Sequence, residues 1–316
     1  MPQPPRSALV TGGAGFIGSH LARRLLRDGW QVDVVDNLST GYRENVPSGA
    51  GFFELDVSRN DLAAQLPARR YDAVFHLAAQ SSGEISFDDP SYDLRTNCQS
   101  TLLLLGWCKQ HGTRRFLFTS SMSIYGDQEV QPVAETATPV PKSFYGVGKL
   151  ASEAYLRAYE PLGIHSTALR LFNVYGPGQN LANMRQGMVS IFLAYILKKQ
   201  DLIVKGSPDR YRDIVYIDDV IAAYLACLDN PVTYGQTYNV ATGQKTTVGG
   251  LIDAELRAFG YQPGEYPVKF TTGTPGDTFG IVADVTKLTA DTGWAPRVDL
   301  SSGLETMVGW AKSLPA

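Results

Sequence analysis

Thr11-Gly12-Gly13-Ala14-Gly15-Phe16-Ile17-Gly18 is the stretch that decides the fold. Residues 7–11 read as a short β-strand that runs into it, and a helical pattern over 16–28 begins inside it. Gly12, Gly15 and Gly18 recur at every third position. A tight strand-to-helix turn needs positive φ, and a backbone closing on a pyrophosphate leaves no room for a Cβ. The helix start then offers N–H groups and the positive end of its dipole to the phosphates. A glycine-rich turn without a ligand is the bland alternative. Against it stands Val32-Asp33-Val34-Val35-Asp36, the end of a second strand pattern over 31–36, which closes on an acid 18 residues beyond Gly18. A carboxylate at that spacing suits the adenosine ribose of a dinucleotide. Asp36 would repel a ribose 2′-phosphate and no Arg follows it directly, so the expected cofactor is NAD rather than NADP.

Working outward, strand patterns at 73–76, 115–120 and 164–171 alternate with helical patterns from 91 to about 110 and over 145–162. Such alternation means βαβ units, so the expected fold is α/β, a doubly wound parallel sheet of the Rossmann type. After Asn173 the texture changes. Residues 174–186 are rich in Gly, Pro and Asn, as a loop would be. Helical patterns follow at 187–199, 218–228, 248–259 and 301–313, with short strands near 202–204, 213–216 and 236–239. We expect an NAD-binding domain over 1–173, with 210–242 returning to it, and a smaller C-terminal α/β substrate-binding cap over 174–316. The cleft between them is the default ligand site.

Composition narrows the function. Lys plus Arg total 28 and Asp plus Glu 31 in 316 residues, a net charge of −3, which excludes a strongly basic face for nucleic acid or acidic lipid. With 44% hydrophobic and 19% charged residues the chain is globular rather than disordered. The longest nearly apolar stretch, 187–197, is about half of the ~20 residues a membrane helix needs. No signal peptide is visible. Cys98, Cys108 and Cys227 form no CxxC pair, and His20, His76, His111 and His165 are scattered, so neither a disulfide framework nor a metal centre is expected. A cytoplasmic protein is the natural reading.

The chemistry is carried by three side chains. The strand ending Phe118-Thr119-Ser120 runs into Ser121-Met122-Ser123-Ile124-Tyr125-Gly126, and Tyr145-Gly146-Val147-Gly148-Lys149 follows. A Tyr and a Lys four apart share one helix face. One cation at ~4 Å, at an effective dielectric near 20, is worth about 4 kcal/mol, roughly three pKa units at best. That would make Tyr145 a proton acceptor near neutral pH, with Ser121 hydrogen-bonding both the phenol and the reacting hydroxyl. Spacing alone proves little, because 16 Tyr and 10 Lys in this length give about half a YxxxK match by chance. Tyr195 and Lys199 are such a decoy, in an apolar stretch with no serine-bearing strand end before it. Tyr145 has the context, since chemistry in α/β sheets collects at the carboxyl ends of strands.

TGGAGFIG at 11–18, DNLSTG at 36–41, HLAAQ at 76–80, SSMSIYG at 120–126, YGVGK at 145–149, LRLFNVYGPG at 169–178 and RDIVYIDDV at 212–220 follow one another in order. Together they resemble the extended short-chain dehydrogenase/reductase family, in particular its nucleotide-sugar epimerases and dehydratases. The resemblance implies that Gly12, Gly15, Phe16, Ile17 and Gly18 hold the pyrophosphate, and that Asp36, Asn37 and Ser39 hold the ribose. It places Asp56 and Val57 at the adenine and Leu77, Ala78 and Ala79 along the middle of the cofactor. Thr119 and Phe172 would complete the cofactor site. Ser121, Tyr145 and Lys149 would be the catalytic set, with Tyr145 and Lys149 also touching NAD. On the substrate side it implies Ser82, Glu84, Ser121, Ser123, Tyr145 and Asn173, with Arg212 on a phosphate. A loop acid in solvent is an equal reading of Glu84, and a packed strand-end residue the better reading of His76.

The implied activity is an NAD-dependent nucleoside-diphosphate-sugar 4-epimerase acting on a UDP-hexose. Tyr145 would take the proton of the 4-hydroxyl while hydride passes to NAD, and the ketone would be reduced on its other face. Dehydratases of the family carry an acidic pair after the serine, where this chain has Met122 and Ser123. A dehydratase or ketoreductase on a similar sugar is the alternative within enzymes, and a non-enzymatic NAD-binding regulator the alternative outside them. Relatives also carry an Arg shortly before a Gly-Asp pair, where Thr274 stands here, before Gly276-Asp277. Pairing of relatives through helices at about 91–111 and 146–162 implies a homodimer.

Overall fold

β1 (Ser7–Thr11) alternates its apolar side chains between two cores. Ala8 and Val10 enter one and Leu9 the other, all fully buried. A strand apolar on both faces belongs in the middle of a covered parallel sheet. In the computed structural model, which describes residues 5–262, 264–273 and 278–314, that is its place. β3 (Gly51–Glu54), β2 (Gln31–Asp36), β1, β4 (Ala73–His76), β5 (Arg115–Ser121), β6 (His165–Leu171) and β11 (Gln236–Val240) lie side by side, all parallel. β3 is a half-buried edge strand with no alternation in Gly-Phe-Phe-Glu, and the sequence reading passes over it.

α1 (Phe16–Arg27) packs on one face of the sheet through Leu21, Ala22 and Leu25. On the opposite face, beyond the short α2 (Leu62–Gln65) and α3 (Pro90–Leu94), lie α4 (Ser100–His111) and α5 (Phe144–Tyr159). The helix expected from 91 to about 110 is interrupted, because Arg95–Gln99 forms a π-turn between α3 and α4. One extra residue in that turn brings Thr96, Asn97 and Cys98 inward together.

Where a loop is expected from 174, β7 (Asn173–Tyr175) first pairs with β10 (Ile214–Tyr216). α6 (Met188–Leu197), β8 (Leu202–Lys205), β9 (Tyr211–Arg212) and α7 (Ile217–Leu228) follow β7 in the chain, and α7 packs beside α1. β12 (Thr246–Thr247) pairs with β9, and β13 (Val268–Thr271) with β8. α6, α8 (Val248–Phe259) and α10 (Leu300–Ser313) pack together, and the small α9 (Thr286–Thr292) lies against β11. The apolar faces of α6, α8 and α10 share one continuous core with α1 and α7. No helix among the described residues is long and apolar enough to cross a membrane.

Candidate active site

The glycine turn is shaped by the protein's own backbone. Gly12 has φ +73°, and a Cβ there would stand 2.6 Å from the Ala78 amide nitrogen. A Cβ on Gly18 would stand 2.1 Å from the Gly12 carbonyl oxygen. Gly15 differs: its Cβ would meet only the Gly12 carbonyl, at 3.2 Å, so its bare backbone edge belongs to the cleft. Gly15 caps α1, whose first turn carries no acid to neutralise the helix dipole. At the end of β2, the Asp36 carboxylate accepts from the Ala14 amide (3.0 Å) and the Leu38 amide (2.9 Å). Burial raises its pKa above the ordinary carboxylate value while these amides pull it back. A concave backbone, an unopposed helix N-terminus and an acid at the next strand end fit a dinucleotide whose pyrophosphate and ribose they would hold.

β5 ends on Ser121, whose hydroxyl accepts from the Ser123 amide and caps the turn after it. α5 begins one residue after Ser143, whose hydroxyl accepts from the Gly146 amide. Packing requires glycine at 146 and keeps position 148 small. A Cβ on Gly146 would lie 2.5 Å from the Ser123 carbonyl oxygen, and one on Gly148 3.0 Å from the Asn97 Cβ. Small residues there let α5 settle against β5's end and the π-turn, bringing Tyr145 and Lys149 to the cleft. The Lys149 ammonium lies 4.8 Å from the Phe118 ring centroid and 5.8 Å from that of Tyr145.

The expectation that this ammonium makes the phenol acidic is corrected here. Burial pushes Tyr145 up to about 12, with Ser121 pulling it down and Asp93 raising it further. Burial also drives Lys149 down to about 7, with Asp93 working against the fall. Both groups are buried, and desolvation disfavours both charged forms at once. Attraction alone would acidify the phenol, but burial dominates and the Ser121 hydrogen bond is what opposes it.

A chamber of about 380 Å³ is lined by the expected cofactor residues. Gly12, Gly15, Phe16, Ile17 and Gly18 line it together with Asp36, Asn37, Ser39, Asp56 and Val57. Leu77, Ala78, Ala79, Thr119 and Phe172 lie along it, and Ser121, Ser123, Tyr145, Lys149, Asn173 and Arg212 also face it. A second chamber of about 340 Å³ shares Ser123, Asn173 and Arg212 and adds Ser82 and Glu84. Ser82 is buried, donating to the Arg185 carbonyl (3.3 Å) and accepting from the Ile85 amide (3.2 Å). Glu84 is neither a free loop acid nor an open ligand: Arg185 (3.3 Å) and Lys205 (3.1 Å) both pair with it. Arg212 is buried and donates to the carbonyls of Tyr211 and Thr278. Thr274, Gly276 and Asp277 lie outside the described residues. Tyr195 lines the second chamber, but Lys199 falls beyond the end of α6 with φ +52° and is exposed, so the decoy pair is not a pair.

His76 is buried between two hydroxyls. Thr11 Oγ1 accepts from the Ala78 amide and so donates to His76 Nδ1 (2.7 Å), while Ser100 Oγ donates to the Thr96 carbonyl and accepts from Nε2–H (3.2 Å). Both ring nitrogens are satisfied in the neutral form, and burial holds the pKa down to about 3.

Residues contributed by distant segments escape a reading of the sequence. Arg185 and Gln186 arrive from the segment before α6, and Gln186 exchanges hydrogen bonds with Ser81. Beneath the site, Arg170 on β6 forks onto Glu153 of α5 (2.7 and 2.9 Å), and Glu153 accepts from Ser120 (2.6 Å). Glu153 lies eight residues past Tyr145 on the same helix face, the periodicity that could have revealed it.

The profile of the NAD dependent epimerase/dehydratase family matches residues 8–241. The UDP-glucose 4-epimerase of Thermotoga maritima, solved with UDP-glucose, is 36% identical with a TM-score of 0.90, covering 97% of this chain and 98% of that one. The UDP-glucose 4-epimerase of Thermus thermophilus, solved with NAD, is 36% identical with a TM-score of 0.88, covering 97% and 99%. UDP-glucuronic acid decarboxylase 1 of Xenopus tropicalis is 31% identical, over 95% of this chain and 70% of that protein. The chain belongs to the NAD-dependent epimerase/dehydratase family, and its cofactor is NAD.

Proposed function

Starting from that membership, we propose that the chain is a nucleoside-diphosphate-sugar 4-epimerase acting on a UDP-hexose. It would oxidise the 4-hydroxyl to a transient sugar ketone and reduce it again from the opposite face. One observation carries the choice within the family. Among the described residues lining the two chambers the acids are Asp36 and Asp56 at the adenosine end and Glu84, which two cations neutralise. Eliminating water from a ketosugar needs a further acid–base group at the reacting carbons. Beside Ser121 stand Met122 and Ser123 instead.

NAD, when bound, supplies the hydride acceptor and donor. The chain's own residues handle the proton and the orientation. Tyr145 takes the proton of the substrate hydroxyl and returns it, Ser121 hydrogen-bonds the same oxygen, and Lys149 lies beside the phenol. Among the described residues, Lys142, Arg185, Lys205, Arg210 and Arg212 line the second chamber with Glu84 as the one acid, a balance suited to a diphosphate. We divide the chain into a cofactor-binding part, 1–173 with 210–242, and a substrate-binding cap. We also propose a cytoplasmic homodimer, supported by exposed Leu102 on α4 with Val147 and Tyr155 on α5. Sedimentation of the wild type and of V147E tests the dimer.

The test of function is incubation with UDP-, GDP-, CDP- and dTDP-sugars, resolving products by NMR. Epimers formed without added NADH support the proposal. Stoichiometric consumption of NADH indicates a ketoreductase, a base-absorbing 4-keto-6-deoxy product a dehydratase, and no turnover across the panel sinks the reading.

A further inference from the structure

Asp93, on α3, is buried to 1% exposure. Its Oδ2 accepts from two neutral amides, Gln80 Nε2 (2.7 Å) and Asn97 Nδ2 (3.1 Å). Its Oδ1 is buried with no hydrogen-bond partner among the described residues. That oxygen lies 3.5 Å from where a Cβ on Gly148 would stand, one residue before Lys149. Lys149 is itself 2% exposed, and its ammonium rests over the Phe118 and Tyr145 rings at the edge of the cofactor chamber. The unpartnered Asp93 oxygen lies against Gly148 and the buried Lys149 follows one residue on, so the two charges offset part of each other's desolvation without a direct ion pair.

We propose that Asp93 is a positioning residue for the reacting pair: oriented by Gln80 and Asn97 against Gly148, its carboxylate is the counter-charge of the Lys149 ammonium beside Tyr145. The π-turn serves this arrangement, since it is the extra residue in Arg95–Gln99 that turns the Asn97 amide inward onto Asp93. Gly148 serves it too, because a Cβ at that position would crowd the Asn97 side chain at 3.0 Å. The electrostatic directions agree in both members. Asp93 raises Lys149, and Lys149 lowers Asp93 against the rise that burial causes. The other titratable groups that interact with these two are Tyr145, on the same helix as Lys149, and the neutral His76 on β4.

The proposal takes its meaning from Tyr145 and Lys149 being the reacting pair, but its test needs neither sugar nor turnover, so a failed epimerase reading leaves it standing. Lys149 is titrated in the purified full chain by competitive acylation with mass-spectrometric readout. D93N is expected to move its midpoint down by about half a unit or more, roughly threefold weaker proton binding. D93E, which keeps the charge, is expected to stay near the wild type. In the reciprocal arm, K149M is expected to raise the Asp93 midpoint, followed by the carboxyl carbon's NMR shift. A merely structural Asp93 would lower the melting temperature and leave both midpoints in place. A stationary midpoint in either folded variant overturns the proposal, and if D93N does not fold the K149M arm decides alone.

Discussion

At one end of the cleft the Ala14 amide meets the Asp36 carboxylate, 22 residues away, inside a single β–α–β unit. At the other end Glu84 meets Arg185 and Lys205, 101 and 121 residues away, across three separate segments. The first region is built from backbone amides, buried acid and glycines that backbone neighbours forbid from changing. The second is built from exposed or half-buried ion pairs, each worth little alone. A site for an unchanging cofactor can be rigid and local. Under the proposed function, a site that admits and releases a sugar nucleotide can be closed by contacts that cost little to break.

Four measurements break or sharpen this contrast. Y145F is expected to cut turnover by about 10³-fold, the scale of a general acid–base group, with NAD affinity within about twofold of wild type. Fluorescence titration of NAD beside initial rates checks it. G18A drives a Cβ into the Gly12 carbonyl, so it is expected to weaken NAD binding by about 100-fold and to lower the melting temperature.

K149M probes how stability depends on pH. Unfolded, the lysine keeps its proton up to about 10.5, whereas folded it releases the proton above about 7. Between those values the unfolded chain binds more protons, so wild-type stability is expected to rise with pH across that window. K149M is expected to be inactive, to lose that slope, and to be less stable than wild type near pH 7, because Asp93 is left buried without its counter-charge. Denaturant unfolding at several pH values reads all three.

The smallest effect belongs to the second region. R185A removes partners of both Glu84 and Asp88, which in turn frees Glu84 to face the chamber with Lys205 alone. It is expected to raise KM for the sugar nucleotide about tenfold, near 1.4 kcal/mol, while NAD affinity stays unchanged. An equal loss of NAD affinity would show that the two regions are not separable.

The β1–α1–β2 unit was legible because its signals are local: the period of two in the strands, the glycine spacing, and the acid that closes β2. The Tyr145–Lys149 helix was legible for the same reason, a four-residue spacing behind a serine-bearing strand end. β3 was not, because an edge strand carries too little alternation to register. The π-turn was not, because periodicity over 91–110 reads the same with one residue inserted. Arg185, Lys205 and Asp93 were not, because nothing near them in the chain marks their partners.

The order of residues by itself determined a parallel sheet, a glycine-cradled dinucleotide site and a Ser–Tyr–Lys set on neighbouring elements, since each follows from backbone geometry over a few consecutive residues. Tertiary structure alone decided how those groups hold their protons. Burial pushes the Tyr145 phenol up and the Lys149 ammonium down, so both resist their charged forms. Desolvation depends on everything packed around a charge, and that surrounding comes from β4, α3, β5 and α5 at once.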